Sequence, residues 1–171
     1  MPELVFVGED FGIDDCESLE TINVASLEYV GEDLYLRDLV DLTGTYTFQN
    51  LTYIDSDLTV GGCGITSLAF PSLEKIGYVE IVDNDSLTTI TMPALLRVDG
   101  DFIASGNALT ESAVDYILAK LVSLDGTDGT TLWENLTLTL TGGTNAPPSE
   151  DGLDDVAILE GRGCTVNVNT P

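Results

Sequence analysis

The sequence repeats itself every 22 to 24 residues over its first two thirds, and this periodicity restricts the chain to a narrow set of folds. Five leucines mark the repeat: Leu4, Leu27, Leu51, Leu73 and Leu95. An aliphatic residue follows each leucine three positions later: Val7, Val30, Ile54, Ile76 and Val98. Because a unit this short cannot bury its own apolar face, successive repeats must stack and share one interior.

Each repeat contains short segments in which apolar and polar residues alternate. After a turn rich in glycine and aspartate, the alternating apolar pairs are Phe11/Ile13, Leu34/Leu36, Leu58/Val60, Val79/Ile81 and Phe102/Ala104. Further apolar pairs close four of the repeats: Ile22/Val24, Tyr46/Phe48, Leu68/Phe70 and Ile90/Met92. Alternation with a period of two indicates a strand with one buried face. The sequence therefore predicts a mainly β fold, a parallel β-solenoid of about five coils over residues 1–109.

The period changes after Asn107 and predicts an α/β cap over residues 110–171 of the same domain. Thr110 is placed to cap a helix that runs through about Ser123. Ser149 is placed to cap a second, shorter helix at about residues 151–159, with Leu153, Val156, Ile158 and Leu159 as its apolar positions.

Strands separate and follow these two helices. One is predicted over residues 132–140 and another over residues 164–168, and Trp133 is predicted to lie in the core of the cap. The order strand, helix, strand favours a crossover between parallel strands. The helix-strand-helix-strand segment is therefore expected to extend the solenoid sheet and close one end of the stack.

One position of the repeat is occupied by cysteine or asparagine in four of the five coils. It lies twelve residues after the marking leucine, or eleven in the fourth coil, and forms the series Cys16, Leu39, Cys63, Asn84 and Asn107. Coils stack about 4.8 Å apart, so residues two coils apart are separated by roughly 9–10 Å. A disulfide requires Cα atoms within about 7 Å. We therefore predict that Cys16 and Cys63 are free, buried thiols.

Two stretches of the repeat resemble the leucine-rich repeats of receptor L domains: residues 51–60 (LTYIDSDLTV) and residues 67–77 (SLAFPSLEKIG). The resemblance extends over roughly residues 4–109 and implies a right-handed β-helix with parallel sheets. It also implies that the series of Cys16, Leu39, Cys63, Asn84 and Asn107 corresponds to the Asn/Cys ladder of that family, whose small side chains satisfy main-chain groups at a corner. It implies no single function, since such coils serve many binding and scaffolding roles.

The C-terminal segment carries a second resemblance, in residues 108–118, 142–149 and 159–166. These strings look like a terminal module of bacteriophage virion proteins and bacterial surface repeat proteins. That module often has an aromatic residue where Cys164 stands, a difference that concerns packing more than role. The resemblance covers about 60 residues, implies an association with phage structural proteins, and brings no catalytic residue with it.

The charge of the chain excludes two classes of partner. Thirty acidic residues and five basic ones give a formal net charge of −25. A surface this negative repels nucleic acid and anionic membranes. The excess carboxylate is interpreted first as a solubilising surface, and a cation site or a basic docking partner is the alternative. No export signal is recognisable in residues 1–6, which is expected either of a chain made and used without Sec export or of one whose signal has been removed. No apolar run approaches the ~20 residues that span a bilayer.

The sequence offers little catalytic chemistry. The absence of histidine excludes histidine-dependent triads and histidine metal sites. Most acidic residues fall in turns or at outward strand positions, where solvent keeps their pKa values ordinary. We therefore predict that the chain is not an enzyme, with an acidic-site hydrolase as the remaining catalytic alternative.

Calcium is the one cofactor for which the sequence supplies candidate ligands. Turns contain oxygen ligands at Asp55, Asp57, Asp99, Asp101, Asp125 and Asp128. None of these turns has the twelve-residue loop that ends in glutamate. Aspartate also recurs at one corner of four coils (Asp10, Asp33, Asp57, Asp101), where a bound cation would relieve the repulsion between carboxylates.

These observations lead to two expectations about function. The first is a non-enzymatic structural protein of a bacteriophage particle, a capsid decoration or a head or tail fibre-like protein that docks on other virion proteins, with self-association left open. It would be assembled in the host cytoplasm. The alternative is a secreted or cell-surface module, L-domain-like, that recognises a protein or a glycan. In either case residues 1–7, at the end opposite the cap, are expected to form a docking edge.

Overall fold

The computed structural model of the chain describes residues 4–132 and 134–170, and Trp133, predicted to lie in the cap core, falls outside them. The described strands form three sheets in which every neighbouring pair is parallel. This arrangement confirms the predicted parallel β-solenoid. We number its coils from the marking leucines: residues 4–26, 27–50, 51–72, 73–94 and 95–109.

The first two sheets run the full length of the stack. The first contains β1 (Phe6–Val7), β3 (Tyr29–Val30), β6 (Tyr53–Ile54), β9 (Lys75–Ile76), β12 (Arg97–Val98) and β14 (Thr131–Leu132). The second contains β2 (Phe11–Asp14), β4 (Leu34–Arg37), β7 (Leu58–Gly61), β10 (Val79–Val82), β13 (Phe102–Ile103), β15 (Thr137–Leu140) and β16 (Thr165–Val168). Coils therefore add strands to both sheets at the same time.

The third sheet belongs to the second, third and fourth coils. It contains β5 (Gly44–Thr47), β8 (Ile65–Ala69) and β11 (Thr89–Thr91), in which Tyr46, Leu68 and Ile90 are aligned and buried. The predicted pair Ile22/Val24 of the first coil lies in no strand, and Ile22 is only partly buried. In the fifth coil a helix takes the place of the third strand.

The strands stack in register, so that equivalent side chains of successive coils form rows in one interior. One such row aligns Phe11, Leu34, Leu58, Val79 and Phe102. The same continuous core extends into the cap, where Leu138 and Leu159 are buried with it. The solenoid and its cap therefore share one interior.

The cap begins with α1 (Glu111–Val122), which runs where the sequence predicts a helix. Its first turn is capped by Thr110, whose Oγ1 accepts a hydrogen bond from the N–H of Ala113 at 3.2 Å. The helix buries Ala113, Val114, Ile117, Leu118 and Leu121. The gap between α1 and the solenoid has a volume of only about 10 Å³, so the helix seats closely on the coils.

The second helix, α2 (Glu150–Gly161), is longer than predicted and buries less. Its cap is the expected Ser149, whose Oγ accepts a hydrogen bond from the N–H of Gly152 at 3.2 Å. Of its four apolar positions only Leu159 is buried, while Leu153 and Ile158 are each 44% exposed. The helix packs on α1 and β16 at the outside of the cap, so most of its surface faces solvent.

The strand predicted over residues 132–140 is two strands in two sheets. β14 extends the first sheet and β15 extends the second, and Asn135 between them has a positive φ of 58° that turns the chain through a corner. β16 then pairs in parallel with β15, as the crossover argument predicts. None of the described helices is long and apolar enough to cross a lipid bilayer.

Two glycines mark a corner where the main chains of consecutive coils approach closely. A Cβ atom built on Gly77 would lie 2.4 Å from the carbonyl oxygen of Ser56, and one on Gly31 would lie 2.3 Å from that of Gly8. The main chain has little freedom to move here, because the N–H of Gly77 donates to the same Ser56 oxygen at 2.9 Å.

We predict that Gly77→Ala lowers the free energy of unfolding by about 1–3 kcal/mol, since the added methyl group must push two coils apart. Gly161→Ala is the matched control. Gly161 is the last residue of α2, and a Cβ atom built on it would meet no atom of another part of the chain within 4 Å. The control should be neutral or stabilise by about 0.5 kcal/mol. Urea denaturation of both variants measures the difference, and equal effects would contradict the close coil approach.

Candidate functional site

The asparagine and cysteine series proves to be a structural element. The Oδ1 atom of Asn84 accepts a hydrogen bond from the N–H of Cys63 at 2.9 Å, and its Nδ2 atom donates to the carbonyl oxygens of Val60 (3.1 Å) and Val82 (3.0 Å). Asn107 repeats the arrangement, and its Oδ1 atom accepts from the N–H of Asn84 at 3.0 Å. Both amides are fully buried. Each amide therefore binds buried main-chain groups where the chain leaves a strand, and its own polar atoms are satisfied by them.

The series loses its polar character towards the first coil. Cys63 is buried, its Sγ atom donates to the carbonyl oxygens of Leu36 and Gly61, and burial raises the pKa of its thiol, so it remains a neutral donor. Leu39 is buried and contributes only packing. Cys16 is free, as predicted, but exposed, which corrects the prediction that it is buried. The reason is its place in the first coil, which has a neighbouring coil on one side only.

A further member of the series lies in the cap, where the sequence reasoning did not find it. Asn145 is buried, its Oδ1 atom accepts from the N–H of Leu109 at 2.9 Å, and its Nδ2 atom donates to the carbonyl oxygens of Ala104 (2.9 Å) and Leu140 (3.2 Å). The repeat pattern does not include Asn145, because α1 interrupts the repeat before it. Its one signal was an asparagine in a glycine-rich corner that follows an alternating strand.

We predict that Asn84→Ala destabilises the chain by about 2–3 kcal/mol, because it leaves the Cys63 N–H buried without its partner and removes a donor from the carbonyl oxygens of Val60 and Val82. Asn50→Ala removes a single exposed hydrogen bond, to the Ala25 carbonyl oxygen, and should cost less than about 1 kcal/mol. Thermal or urea unfolding of the two variants tests this. A similar cost for both would argue against a structural role of the buried amide.

The recurring aspartates at one corner of the coils also have main-chain partners. An Oδ1 atom of Asp10 accepts a hydrogen bond from the N–H of Asp33, and one of Asp33 accepts from the N–H of Asp57, both at 3.0 Å. Asp101 binds the N–H of Thr137 in the same way at 2.7 Å. The carboxylates of Asp10, Asp33 and Asp101 thus join the first coil to the second, the second to the third, and the fifth to the cap, and the amides they bind offset part of their mutual repulsion.

The candidate calcium ligands beside the first sheet, Asp55 and Asp99, already bind side chains of the protein. Asp55 accepts hydrogen bonds from the Tyr29 hydroxyl and, at 3.1 Å, from Lys75 Nζ, and these two contacts lower the pKa of Asp55. Asp99 pairs with Arg97 at 2.6 Å. Two of the five basic residues of the chain thus lie beside aspartates predicted as metal ligands.

The remaining candidates lie in separate turns. Asp57 and Asp101 belong to the aspartate corner, and Asp125 accepts hydrogen bonds from the N–H (2.9 Å) and Oγ1 (2.6 Å) of Thr127. Asp128 occupies a turn position with a positive φ of 49°. Within residues 4–132 and 134–170, the carboxylates close enough to share an ion are those of Asp14, Asp15 and Asp38, so none of the six candidates belongs to such a group.

We predict that calcium does not set the stability of the fold. The unfolding temperature should be the same in EDTA and in added Ca²⁺ once ionic strength is matched with NaCl, since screening alone stabilises a chain of this charge. Mg²⁺ at equal concentration is the control for a general effect of divalent ions. A rise specific to Ca²⁺ would reinstate the calcium hypothesis.

The end of the solenoid opposite the cap leaves its interior incompletely covered. Phe11 and Ile13 of β2 are only partly buried, whereas Leu34 and Leu36, which align with them in β4, are fully buried. Other inward residues of the first coil are also only partly buried: Val7, Leu19 and Ile22. We call this surface of the first coil the open end.

The predicted docking edge lies at the open end. Residues 1–3 are outside the described part of the chain, and Leu4, Val5 and Phe6 are exposed, with 64% of Phe6 accessible. The Phe6 ring stacks on Tyr29 with centroids 4.9 Å apart and planes 6° apart. Exposed apolar side chains beside a partly covered core are a feature of interaction surfaces.

Main-chain groups at the open end lack strand partners as well. Among the described strands, β1 pairs with β3 alone and β2 pairs with β4 alone. The outer edges of both sheets therefore present N–H and C=O groups that another strand can pair with. The open end combines an apolar surface with two sheet edges.

The open end is surrounded by negative charge. Six exposed carboxylates belong to the first coil: Glu9, Asp10, Asp14, Asp15, Glu17 and Glu20. The sequence of residues 4–26 contains no lysine or arginine. The charge and the apolar side chains of this surface are complementary to a surface that is both basic and apolar.

Comparison with known proteins gives no match: no protein-family model, no curated protein and no solved structure matches this chain. The structure by itself defines the class, a parallel β-solenoid with an α/β cap.

Proposed function

We propose that the chain is a non-enzymatic structural module of a bacteriophage particle, a capsid decoration or head or tail fibre-like protein, that docks on another virion protein through its open end. The observation that carries the proposal is the difference between the two ends of one continuous core. At one end three added strands and two helices extend the core, and α2 packs against the last strand, β16, whose Val166 and Val168 are partly buried. At the other end Phe11 and Ile13 are only partly buried, and Leu4, Val5 and Phe6 beside them are exposed. A module whose two ends differ in this way is suited to attachment in a fixed orientation.

The chemistry of the side chains supports a role without catalysis. The asparagines of the ladder and the aspartates of the corner are bound to main-chain groups of neighbouring coils. The cysteine thiols at Cys63 and Cys164 have pKa values raised by burial, which keeps them protonated and weakly nucleophilic. The resemblance of the cap to modules of virion proteins points to the particle as the place of action, and the L-domain-like resemblance of the coils fits a scaffold for docking.

Incorporation into particles tests the proposal. We predict that the combined change of Leu4, Val5 and Phe6 to serine lowers the amount of the chain in purified particles at least tenfold, a loss of about 1.4 kcal/mol in docking free energy. All three side chains are exposed, so the fold should persist. Quantitative mass spectrometry of the particles is the measurement, with a chain that lacks residues 1–7 as a second variant.

The matched control changes Leu153 and Ile158 of α2 to serine, because these are also exposed apolar residues but lie in the cap. The control should be incorporated at the level of the unchanged chain. Full incorporation of the open-end variants would contradict docking through this end.

One observation favours the second candidate, a secreted or cell-surface binding module. Phe6, Tyr29 and Tyr53 form an outward aromatic column on the first sheet, and Asp55 and Glu74 hold the hydroxyls of the two tyrosines. Aromatic columns of this kind stack on sugar rings. Glycan binding that is lost in Tyr53→Ser but retained when Leu4 and Val5 are changed would favour this candidate over particle docking.

A further inference from the structure

We propose that the open end receives an extended segment of a partner protein in which apolar residues alternate with lysine or arginine, and that this segment adds to the second sheet beside β2. The inference deepens the proposed function, on which it rests, by naming the chemistry of the docking partner.

The hydrogen bonding of β2 indicates that the partner segment is an extended strand. The N–H of Phe11 points to the second coil, where it donates to the carbonyl oxygen of Asp33 at 2.8 Å. Because hydrogen bonds alternate along a parallel strand, the N–H groups of Gly12 and Asp14 face the outer edge. An added strand can pair with these groups and continue a sheet of seven described strands.

The interior defines which side chains such a strand needs. Leu34 and Leu36 cover one side of Phe11 and Ile13, and nothing among the described residues covers the other side in the same way. Apolar side chains at every second position of an added strand would complete the row. The intervening positions would point outward, on the face where the Tyr35 ring lies against Gly12: a Cβ atom built there would be 1.9 Å from Tyr35 Cζ.

The negative charge around β2 indicates which residues the added strand carries at its outward positions. It also argues against a second copy of this chain as the partner. Asp10 precedes β2, Asp14 ends it and Asp15 follows it, and Asp14 and Asp15 form with Asp38 a group of carboxylate oxygens within 4.8 Å of one another. Arg37 is aligned with Asp14 on the neighbouring strand, and its guanidinium lies over the Tyr35 ring at 5.1 Å from the centroid, so one basic residue faces the six carboxylates of the first coil.

Two open ends facing each other would therefore bring two sets of six carboxylates together, a like-charge contact that disfavours association. A lysine or arginine beside Asp14 or Asp15 reverses the sign of that contact. The carboxylate rim thus selects a basic strand.

Synthetic peptides of equal length test this chemistry on the full chain. An alternating lysine-valine peptide should shift the backbone amide resonances of Phe11–Asp14 and slow hydrogen exchange at Gly12 and Asp14. A peptide of the same composition with its lysines and valines in two blocks, and an alternating glutamate-valine peptide, should leave these resonances unchanged. Binding of either control peptide at β2 with equal affinity would overturn the proposal.

Charge variants test the rim separately from the fold. The combined change Asp14→Asn, Asp15→Asn and Asp38→Asn should weaken binding of the alternating lysine-valine peptide roughly tenfold, the sum expected of a few exposed ion pairs. Asparagine tolerates the positive φ of Asp15 (53°) and Asp38 (52°), so the corner should keep its shape.

The matched control for these variants is Asp154→Asn with Glu134→Gln and Glu160→Gln, three exposed carboxylates of the cap. It removes the same net charge and should change peptide affinity by less than about twofold, because salt screens charges this remote from β2. An equal loss of peptide affinity in both triple variants would mean that the peptide responds only to the net charge of the chain. That result would overturn the proposal.

Two further outcomes separate this inference from the proposed function. If the serine variant of Leu4, Val5 and Phe6 fails to enter particles while the alternating lysine-valine peptide does not bind β2, the basic strand is wrong and docking through the open end stands. If that peptide binds but the serine variant is incorporated normally, the strand site stands and attachment to the particle through the open end is wrong. Dimerisation through the open end in analytical ultracentrifugation would replace the basic partner with a second copy.

Discussion

The structure depends on hydrogen bonding between the main chains of coils that lie on one another in register. Each strand of the first two sheets has two or four residues, too short to be stable alone, and gains its stability from the coils above and below. This constraint explains why equivalent side chains form continuous rows, why Gly77 must lie close to Ser56, and why the two ends of the stack differ from everything between them.

Corners create the second requirement of such a fold, since the main chain leaves its sheet at every turn. The buried amides of Asn84, Asn107 and Asn145 and the carboxylates of Asp10, Asp33 and Asp101 bind main-chain groups of neighbouring residues or coils. Asparagine and aspartate are residue types that suggest metal binding or catalysis in the sequence alone. At these positions their side chains instead hydrogen-bond to the main chain and stabilise the fold. The chain has thirty acidic residues, and the role of each carboxylate depends on its position in the coil rather than on the total charge.

The two ends of the stack differ in what lies beside their outermost strands. At one end the added strands β14, β15 and β16 continue the sheets, and α1 and α2 pack beside them and bury Leu118 and Leu159 in the common core. At the other, the first coil retains partly exposed apolar residues, two sheet edges and a rim of carboxylates. Sheet edges and apolar surface promote association, while like charge opposes association between copies.

The sequence by itself determined the solenoid, its coil boundaries, α1 and the capping roles of Thr110 and Ser149, because these follow from local periodicity and from side chains that bond to nearby main chain. Only the tertiary structure decided that residues 132–140 divide between two sheets, that Asn145 belongs with Asn84 and Asn107, that α2 is mostly exposed, and that Cys16 is not buried. Burial and partnership of these residues depend on which coil or helix lies beside them. A repeat pattern assigns the same environment to every coil, whereas a stack of finite length has a first coil with one neighbour.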